Sequence, residues 1–372
     1  MAFQSPPEVL FRQCLRSGRS LSQTAMAPSA CSSRQIRGYR AAVINQLGQP
    51  MVIQTMPPPK PLKPSEVLIS THAAGINFAD ILQWKGQYQE KLEPPFVPGF
   101  EISGKVIEVG SEVKTHKVGD RVVAISPAGG AFAEMCVVSS EAVFPVPDNL
   151  RLVEAAGTIT SYGTAMLGLT HNAKLRAGEK VLVTAAAGAT GLAAVDIAKN
   201  LFNCEVIGVC GSIDKCQFLK RHGVDYTINY STDRLRDSVK EITNGRGVNV
   251  AVDQVGGDTL LQCVKSLGFE GRALTVGYAS GKIPDIPANL MLLKSASLVG
   301  VYWGSYSKAN PPAFVGSIMK VLQAVAEGKI KPHVGKTFPL DQINEAFQYV
   351  SDRKSVGKTV IQLQEEYAPL GP

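Results

Sequence analysis

A strand, a turn of small residues and a helix are predicted within residues 180–199, and this segment constrains the fold more than any other. The apolar run Val181–Thr184 leads into the turn, and helical periodicity follows from Leu192 onward. The turn has the spacing Ala185-x-x-Gly188-x-x-Gly191. Small residues there allow the backbone to approach a pyrophosphate at the helix N-terminus. The spacing departs from strict G-x-G-x-x-G, so alone it also fits an ordinary glycine turn.

Apolar runs and helical patterns alternate after this turn. The further predicted strands are Glu205–Val209, Tyr226–Asn229, Val248–Asp253, Arg272–Val276 and Ser297–Tyr302. The predicted helices between them are Asp214–Arg221, Asp233–Thr243 and Thr259–Ser266. Such alternation implies a parallel sheet covered by helices on both faces. Six strands indicate an α/β, doubly wound Rossmann domain over residues 164–303.

The flanking regions predict a second, β-rich domain. Residues 40–163 hold short alternating runs broken by Pro and Gly, at Glu66–Thr71, Ile102–Val109 and Arg121–Ile125, which is typical of a barrel-like domain. Residues 304–372 predict two helices and a last strand, at Phe314–Glu327, Asp341–Ser351 and Thr359–Leu363. We expect this tail to rejoin the first region, which places a cleft between two lobes.

Residues 1–39 belong to neither lobe. They contain five arginines, no lysine and one acid, Glu8, among many Ser and Ala residues. An Arg-rich, acid-poor, amphipathic segment is typical of an organelle transit peptide, and Arg37-Gly38-Tyr39 resembles a mitochondrial processing site. We therefore expect a mitochondrial protein; the alternative is a disordered extension without an address. There is no apolar run of 18 residues, so we expect no membrane span.

Charge and cysteine usage exclude two further classes. The net charge of +7 falls to about +3 without the leader, the basic residues are scattered, and no RNA- or DNA-binding motif is present. No nucleic-acid partner is expected. The seven cysteines are dispersed and odd in number, so free thiols are the simpler interpretation than a disulfide framework.

The motifs together resemble the zinc-free medium-chain dehydrogenases/reductases of the zeta-crystallin-like quinone oxidoreductase family. They are Ala74-Gly-Ile-Asn-Phe-Ala-Asp80, Gly86-Gln-Tyr88, Pro98-Gly-Phe-Glu101, Gly104, Val109-Gly110, Val118-Gly-Asp-Arg-Val122, the 185–191 turn and Gly357-Lys358. The resemblance covers nearly all of residues 40–363. It implies a GroES-like catalytic domain, built from both ends of the chain around the Rossmann domain. A homodimer is also expected.

Against this family background, two substitutions predict an enzyme without metal. Zinc-dependent members place Cys where this chain has Asn77, and His where it has Phe100. The chain has no cysteine between Cys31 and Cys136, so neither a three-ligand catalytic site nor a four-cysteine structural site can be assembled there.

The end of the second Rossmann strand predicts the cofactor. NAD enzymes carry an acid there that binds the ribose 2′-hydroxyl, whereas this strand ends Val209-Cys210-Gly211-Ser212. Ser212 can donate a hydrogen bond to a 2′-phosphate, and Lys215 can supply charge. The resemblance implies the same role for Gly211, Lys215 and Tyr230. We therefore predict NADPH, and interpret the nearby Asp214 as a helix N-cap.

The remaining cofactor contacts are expected at the glycine turn and at strand ends, where ligands sit in open α/β sheets. The predicted residues are Ala185, Gly188, Ala189, Thr190, Gly191, Val255, Gly277, Tyr278, Tyr302 and Lys358. Packing is the alternative role for both tyrosines. Asp253 is interpreted as a structural cap.

The resemblance makes Asn77 and Tyr88 the candidate catalytic residues, in contact with nicotinamide or a substrate oxygen. Tyr88 is a candidate proton donor, although a quinone product can also take protons from water. Asn77 on its own would suit a turn, and Asp80 is interpreted as structural. Three functions stay open: an NADPH-dependent quinone or enone reductase, an enoyl-thioester reductase, and an NADPH-binding sensor or structural protein with little turnover.

Overall fold

The computed structural model describes residues 38–364, so the predicted leader lies almost entirely outside the described residues. The strands are β1 (Tyr39–Val43), β2 (Val52–Met56), β3 (Glu66–Ile76), β4 (Glu101–Val109), β5 (Arg121–Ile125), β6 (Met135–Ser139), β7 (Val143–Pro145), β8 (Lys180–Val183), β9 (Glu205–Cys210), β10 (Tyr226–Asn229), β11 (Val248–Asp253), β12 (Leu267–Thr275), β13 (Ser297–Gly300), β14 (Val334–Pro339) and β15 (Lys358–Gln362). The α-helices are α1 (Phe78–Trp84), α2 (Leu152–Ala155), α3 (Ile159–Met166), α4 (Ala189–Asn200), α5 (Ile213–Arg221), α6 (Leu235–Ile242), α7 (Gly257–Ser266), α8 (Ala288–Lys294), α9 (Tyr306–Ala309), α10 (Pro311–Ala326) and α11 (Ile343–Ser351).

Six parallel strands form the cofactor lobe in the order β10-β9-β8-β11-β12-β13. Counted along the lobe this is 3-2-1-4-5-6, the order of a doubly wound Rossmann sheet. Apolar residues on both faces of its central strands are buried under two separate clusters of helical side chains. The predicted fold is confirmed, and the order reverses between β8 and β11, where such sheets bind ligands.

A second, largely antiparallel sheet forms the catalytic lobe. Its seven strands follow the order β14-β15-β3-β4-β5-β7, with β6 also paired to β3. The final strand β15 runs antiparallel to β3, with Thr359 opposite Ile76. The C-terminal segment therefore completes a sheet begun near the N-terminus, as predicted.

Several element boundaries differ from the sequence prediction. Helix α4 begins at Ala189 rather than Leu192, because Leu192 N–H already donates to the Gly188 carbonyl at 2.8 Å. Small turn residues thus form the first helical turn, which apolar periodicity does not reveal. The predicted strand Arg272–Val276 starts earlier, at Leu267, and the predicted strand Ser297–Tyr302 stops at Gly300.

Helix α3 packs on α4 and α10, and the predicted domain boundary at residues 163 and 164 falls inside it. A Cβ on Gly163 would lie 2.8 Å from the Trp303 ring, so the helix approaches that ring closely. Within residues 38–364, none of the helices is both long and apolar enough to cross a bilayer.

Candidate active site

The turn between β8 and α4 is held tight by small residues. Ala185 adopts a positive φ of 45°, and a Cβ on Gly191 would lie 2.3 Å from its carbonyl oxygen. Gly188 caps α4, so the N–H groups of the first helical turn (Ala189, Thr190 and Gly191) lack intrahelical acceptors. These donors and the helix dipole suit an anionic pyrophosphate. The predicted turn residues lie at this helix N-terminus, and their contact with the cofactor stays a prediction.

The end of β9 brings together the residues predicted for the 2′-phosphate. The Tyr230 hydroxyl lies against Gly211, where an added Cβ would be 2.5 Å from it. Ser212 is the N-cap of α5 and accepts a hydrogen bond from Lys215 N–H at 3.3 Å. The N-cap prediction for Asp214 was wrong. Asp214 lies in the first helical turn, because the Ser212 hydroxyl already caps the helix.

Lys215 also meets a residue that the sequence did not suggest. Its ammonium donates to the Arg353 carbonyl at 2.6 Å, and the Arg353 guanidinium donates to the Ala279 carbonyl at 3.0 Å. Burial lowers the pKa of Lys215. A loop of the catalytic lobe therefore reaches Lys215 at the end of β9 through a backbone carbonyl. The sequence does not indicate this contact of Arg353, because a single basic residue in a loop has no distinctive pattern.

Asp253 at the end of β11 holds two strand ends together. It is fully buried and accepts hydrogen bonds from Thr184 Oγ1 and Gly256 N–H, each at 2.7 Å. The predicted structural role agrees with this geometry. Tyr278 packs against Gly256, whose added Cβ would lie 2.6 Å from the ring. The tyrosine is 38% exposed at the strand ends, beside Gly277 and the Val255 segment.

Tyrosines from the two lobes meet across the cleft. The Tyr302 hydroxyl donates to Glu90 at 3.2 Å and lies beside Tyr88. The Tyr88 ring lies 5.8 Å from that of Phe100. Burial, followed by the nearby Tyr302, raises the pKa of Tyr88 well above its ordinary value, so its phenol stays protonated at neutral pH. Glu90 was missed, since an acid in a polar loop carries no distinctive pattern.

Asn77 is fixed at the start of α1. Its backbone N–H donates to Asp80 Oδ2 at 2.6 Å. Its side-chain amide donates to Glu101 Oε1 at 3.0 Å and accepts from Lys358 Nζ at 2.7 Å. Both ends of the amide are therefore engaged, which orients the side chain.

We use the name polar cluster for Asn77, Asp80, Glu101, Ser161 and Lys358. Lys358 is 2% exposed, pairs with Glu101 and donates to Ser161 Oγ at 3.4 Å. Glu101 also accepts from Thr160 N–H at 3.0 Å. The cluster joins β15, β4, α1 and α3 inside the catalytic lobe. Lys358 thus lies among protein groups, and its predicted contact with the cofactor stays a prediction.

Glu101 was not predicted as a site residue, although it belongs to a motif quoted above. The sequence feature that could have identified it is its position at the start of a buried strand, because a buried acid requires a partner. Across residues 38–364, no group of three or more His, Cys, Asp or Glu side chains is arranged to hold a metal ion.

The 3-2-1-4-5-6 sheet, its glycine turn and the second lobe define a two-lobed, dinucleotide-dependent oxidoreductase. A family model described as an alcohol dehydrogenase GroES-like domain matches residues 63–148, and one described as a zinc-binding dehydrogenase matches residues 189–318. The chain belongs to the quinone oxidoreductase family of medium-chain dehydrogenases/reductases. The predicted family is therefore confirmed, and NADPH is the cofactor that this family uses.

Two relatives are similar over most of the chain. Quinone oxidoreductase-like protein 2 homolog of Nematostella vectensis is 45% identical, covering 98% of this chain and 100% of its own. Quinone oxidoreductase-like protein 2 of Bos taurus is 46% identical, covering 88% and 93%.

Solved structures include a mycobacterial protein in complex with NADPH and the CurK enoyl reductase. The first has a TM-score of 0.80 and 30% identity, covering 87% of this chain and 100% of its own. The second has a TM-score of 0.79 and 28% identity, covering 88% and 100%.

Proposed function

We propose that this chain transfers hydride from NADPH to a quinone or an α,β-unsaturated carbonyl without a metal ion. The end of β9 is the observation that carries the cofactor assignment. It presents Lys215, Ser212 and the Tyr230 hydroxyl around Gly211, with no carboxylate on the strand end itself. A 2′-phosphate meets a cation and hydrogen-bond donors there, whereas a free 2′-hydroxyl lacks the acid that NAD enzymes provide.

When bound, NADPH supplies the hydride, and the chain's residues position the acceptor. The Tyr88 phenol remains a hydrogen-bond donor at neutral pH, so it suits the oxygen that gains negative charge as hydride arrives. Asn77, oriented by Glu101 and Lys358, shapes the neighbouring wall of the site. Tyr302 lies beside Tyr88 from the cofactor lobe and is itself held by its hydrogen bond to Glu90, in the same loop as Tyr88.

The polar cluster supports chemistry without zinc. An ammonium group, Lys358 Nζ, bonds the oxygens of Asn77 and Glu101 that a metal ion would need. A divalent cation would have to displace this buried cation, and it would gain an amide oxygen where zinc prefers Cys or His.

Reduction of enoyl thioesters is the second candidate function. The CurK enoyl reductase shares the fold over the full length of its chain. The chemistry is closely related, because both acceptors develop negative charge on a carbonyl oxygen. An NADPH-binding protein with little turnover is the third, and it needs the same site at the end of β9.

Initial rates of NADPH oxidation separate these functions when measured with quinones, enones and enoyl thioesters of matched concentration. We expect turnover with quinones or enones, unaffected by a zinc chelator. Turnover with enoyl thioesters alone would favour the second function. NADPH binding without turnover on any acceptor would favour the third.

The location proposed for the protein is the mitochondrion, on the basis of the arginine-rich, acid-poor composition of residues 1–39. Fusing residues 1–45 to a fluorescent reporter should direct it to mitochondria. A cytosolic reporter, with an intact N-terminus on the endogenous protein, would contradict this.

The partner proposed at the outer edge of the cofactor sheet is a second copy of the chain. Strand β13 is the last strand of that sheet, and Leu292 and Leu293, in the helix α8 that precedes it in the chain, are 79% and 75% exposed. An edge strand beside apolar side chains offers a self-complementary surface for two-fold pairing. Light scattering should give a dimer mass, and Leu292→Lys with Leu293→Lys should give a monomer that still binds NADPH. A wild-type monomer would contradict the proposal.

A further inference from the structure

Asp80, at the centre of the polar cluster, has an unusual set of contacts. Its side chain is fully buried, and Oδ2 accepts the Asn77 N–H at 2.6 Å. The other oxygen, Oδ1, is buried and has no hydrogen-bond partner within residues 38–364. Gln83, one helical turn further along α1, has a buried Oε1 that likewise has no partner among those residues. Two buried acceptors therefore share one face of the helix without a donor.

The charges around Asp80 do not balance when every group is ionised. The polar cluster contains two carboxyl groups, on Asp80 and Glu101, and one ammonium, on Lys358, and all three are buried. Lys358 pairs with Glu101 and donates to Asn77 and Ser161. Within residues 38–364, Asp80 is left without an ion pair, and burying an unpaired carboxylate is costly.

One proton on Asp80 removes both difficulties. It makes the cluster electrically neutral, and it converts Oδ1 from an acceptor without a donor into a hydroxyl. Residues three apart on a helix are neighbours, so this hydroxyl can donate towards the Gln83 oxygen. Burial raises the pKa of Asp80 to about 7, although the Asn77 N–H and Lys358 oppose that rise. Glu101 adds to it.

The other groups near Asp80 do not supply a compensating charge. Tyr88 follows α1 in the chain, and its raised pKa keeps it neutral. Helix α11 packs on α1, and its one acidic residue, Glu345, is exposed to solvent. In the part of the chain that the structure describes, Lys358 is therefore the cation that acts on the Asp80 carboxyl.

We propose that Asp80 is a positioning residue that carries a proton in the working enzyme, and that its ionisation draws Lys358 away from Asn77. An ionised Asp80 competes with Asn77 and Glu101 for the same ammonium. The amide of Asn77 then loses the bond at 2.7 Å that orients its oxygen. The inference rests on the proposed function in so far as Asn77 shapes the reactive site.

The protonation state is tested directly on the full chain by infrared spectroscopy. A protonated carboxylic acid absorbs apart from carboxylates, and Asp80→Asn identifies the band by removing it. We expect a band that is present at about pH 6, fades with a midpoint near 7 and is missing from the variant. Absence of any such difference between the two proteins at pH 6 would overturn the proposal.

The positioning role is tested by the pH dependence of kcat/KM. We expect the wild type to lose about tenfold or more between pH 6.5 and pH 9, because deprotonation removes the active form. Asp80→Asn resembles the neutral acid and keeps an acceptor for the Asn77 N–H, so its profile should be flat over that range. Glu345→Gln, the matched control on α11, should retain the wild-type profile. Equal pH profiles for wild type and Asp80→Asn would overturn the positioning role.

A negative result for Asp80 can be distinguished from a negative result for the proposed reaction. The infrared band requires no turnover, so a protein that reduces no quinone or enone can still show it. A protein with turnover but no band refutes the role of Asp80 and leaves the proposed function intact.

Discussion

The polar cluster and the end of β9 differ in how their charged groups are paired. In the cluster, a buried lysine, a buried glutamate and an asparagine amide satisfy one another, and Lys358 is only 2% exposed. At the end of β9, Tyr230 is 48% exposed and the Lys215 ammonium donates to a backbone carbonyl. Lys358, Glu101 and Asn77 are thus paired with one another inside the protein, whereas the end of β9 retains donors that a phosphate can use.

This difference separates positioning from binding. Charges that pair inside the protein fix the geometry of the reactive wall, and they contribute to folding whether or not the cofactor is bound. Charges left at a strand end contribute mainly when an anion arrives. Substitutions in the polar cluster should therefore change the free energy of unfolding, and substitutions at the end of β9 should change nucleotide affinity.

The largest effect is expected from Lys358→Met, which leaves Glu101 buried without its cation. Breaking a buried ion pair by removing one partner costs about 3–5 kcal/mol. Urea unfolding should show a loss of that size, and Lys358→Met with Glu101→Gln should recover part of it. A loss below about 1 kcal/mol would show that the cluster is not held by its ion pair.

Gly191→Ala should have the next largest effect. The added Cβ would lie 2.3 Å from the Ala185 carbonyl oxygen, so the turn must open, at a cost of about 1–3 kcal/mol. We expect NADPH affinity to fall with stability, measured by fluorescence titration and urea unfolding. Gly316→Ala is the matched control, because its Cβ would meet nothing within 4 Å. Unchanged affinity in Gly191→Ala would contradict the assignment of the turn.

Lys215→Ala should act on binding alone. We expect NADPH affinity to fall about tenfold, equivalent to about 1.4 kcal/mol, with NADH affinity unchanged. The control is Lys220→Ala, an exposed lysine on the same helix. Equal losses for both nucleotides would indicate a structural role for Lys215 instead.

The smallest effect concerns a histidine pair outside both regions. The rings of His222 and His333 are 5.2 Å apart. Burial, and to a smaller extent the charge of His222, lowers the pKa of His333 below its ordinary value of 6.5. His333 therefore binds a proton less readily in the folded state than in the unfolded state. Its contribution to the free energy of unfolding is fully present at neutral pH and is lost as the pH falls below 6.5. His333→Gln should flatten this dependence in urea unfolding between about pH 7 and pH 5. An unchanged slope would contradict it.

Much of this arrangement could be predicted from the sequence because it follows from local patterns. Alternating apolar runs gave the six-strand sheet, with Tyr226–Asn229 and Val248–Asp253 placed to the residue. Gly211, Lys215 and Tyr230 came together because a parallel sheet aligns its strand ends. The return of β15 to β3 followed from the motifs at both ends of the chain.

Other features depend on long-range contacts that no local pattern shows. Glu101 and Lys358 are 257 positions apart, and their pairing appears only when β15 lies beside β3. Arg353 reaches Lys215 through its backbone carbonyl, for which residue type gives no signal. Asp214 was assigned as a cap from its place before Lys215 and the apolar periodicity that follows, whereas the helix begins at Ile213 with Ser212 as its N-cap.

Titration of the wild-type protein with NADPH and NADH determines whether the end of β9 selects NADPH. Cofactor fluorescence in one buffer gives both dissociation constants. We expect the value for NADPH to be at least about tenfold lower, because the 2′-phosphate gains a charged partner and hydrogen bonds. Equal dissociation constants for the two nucleotides would contradict it.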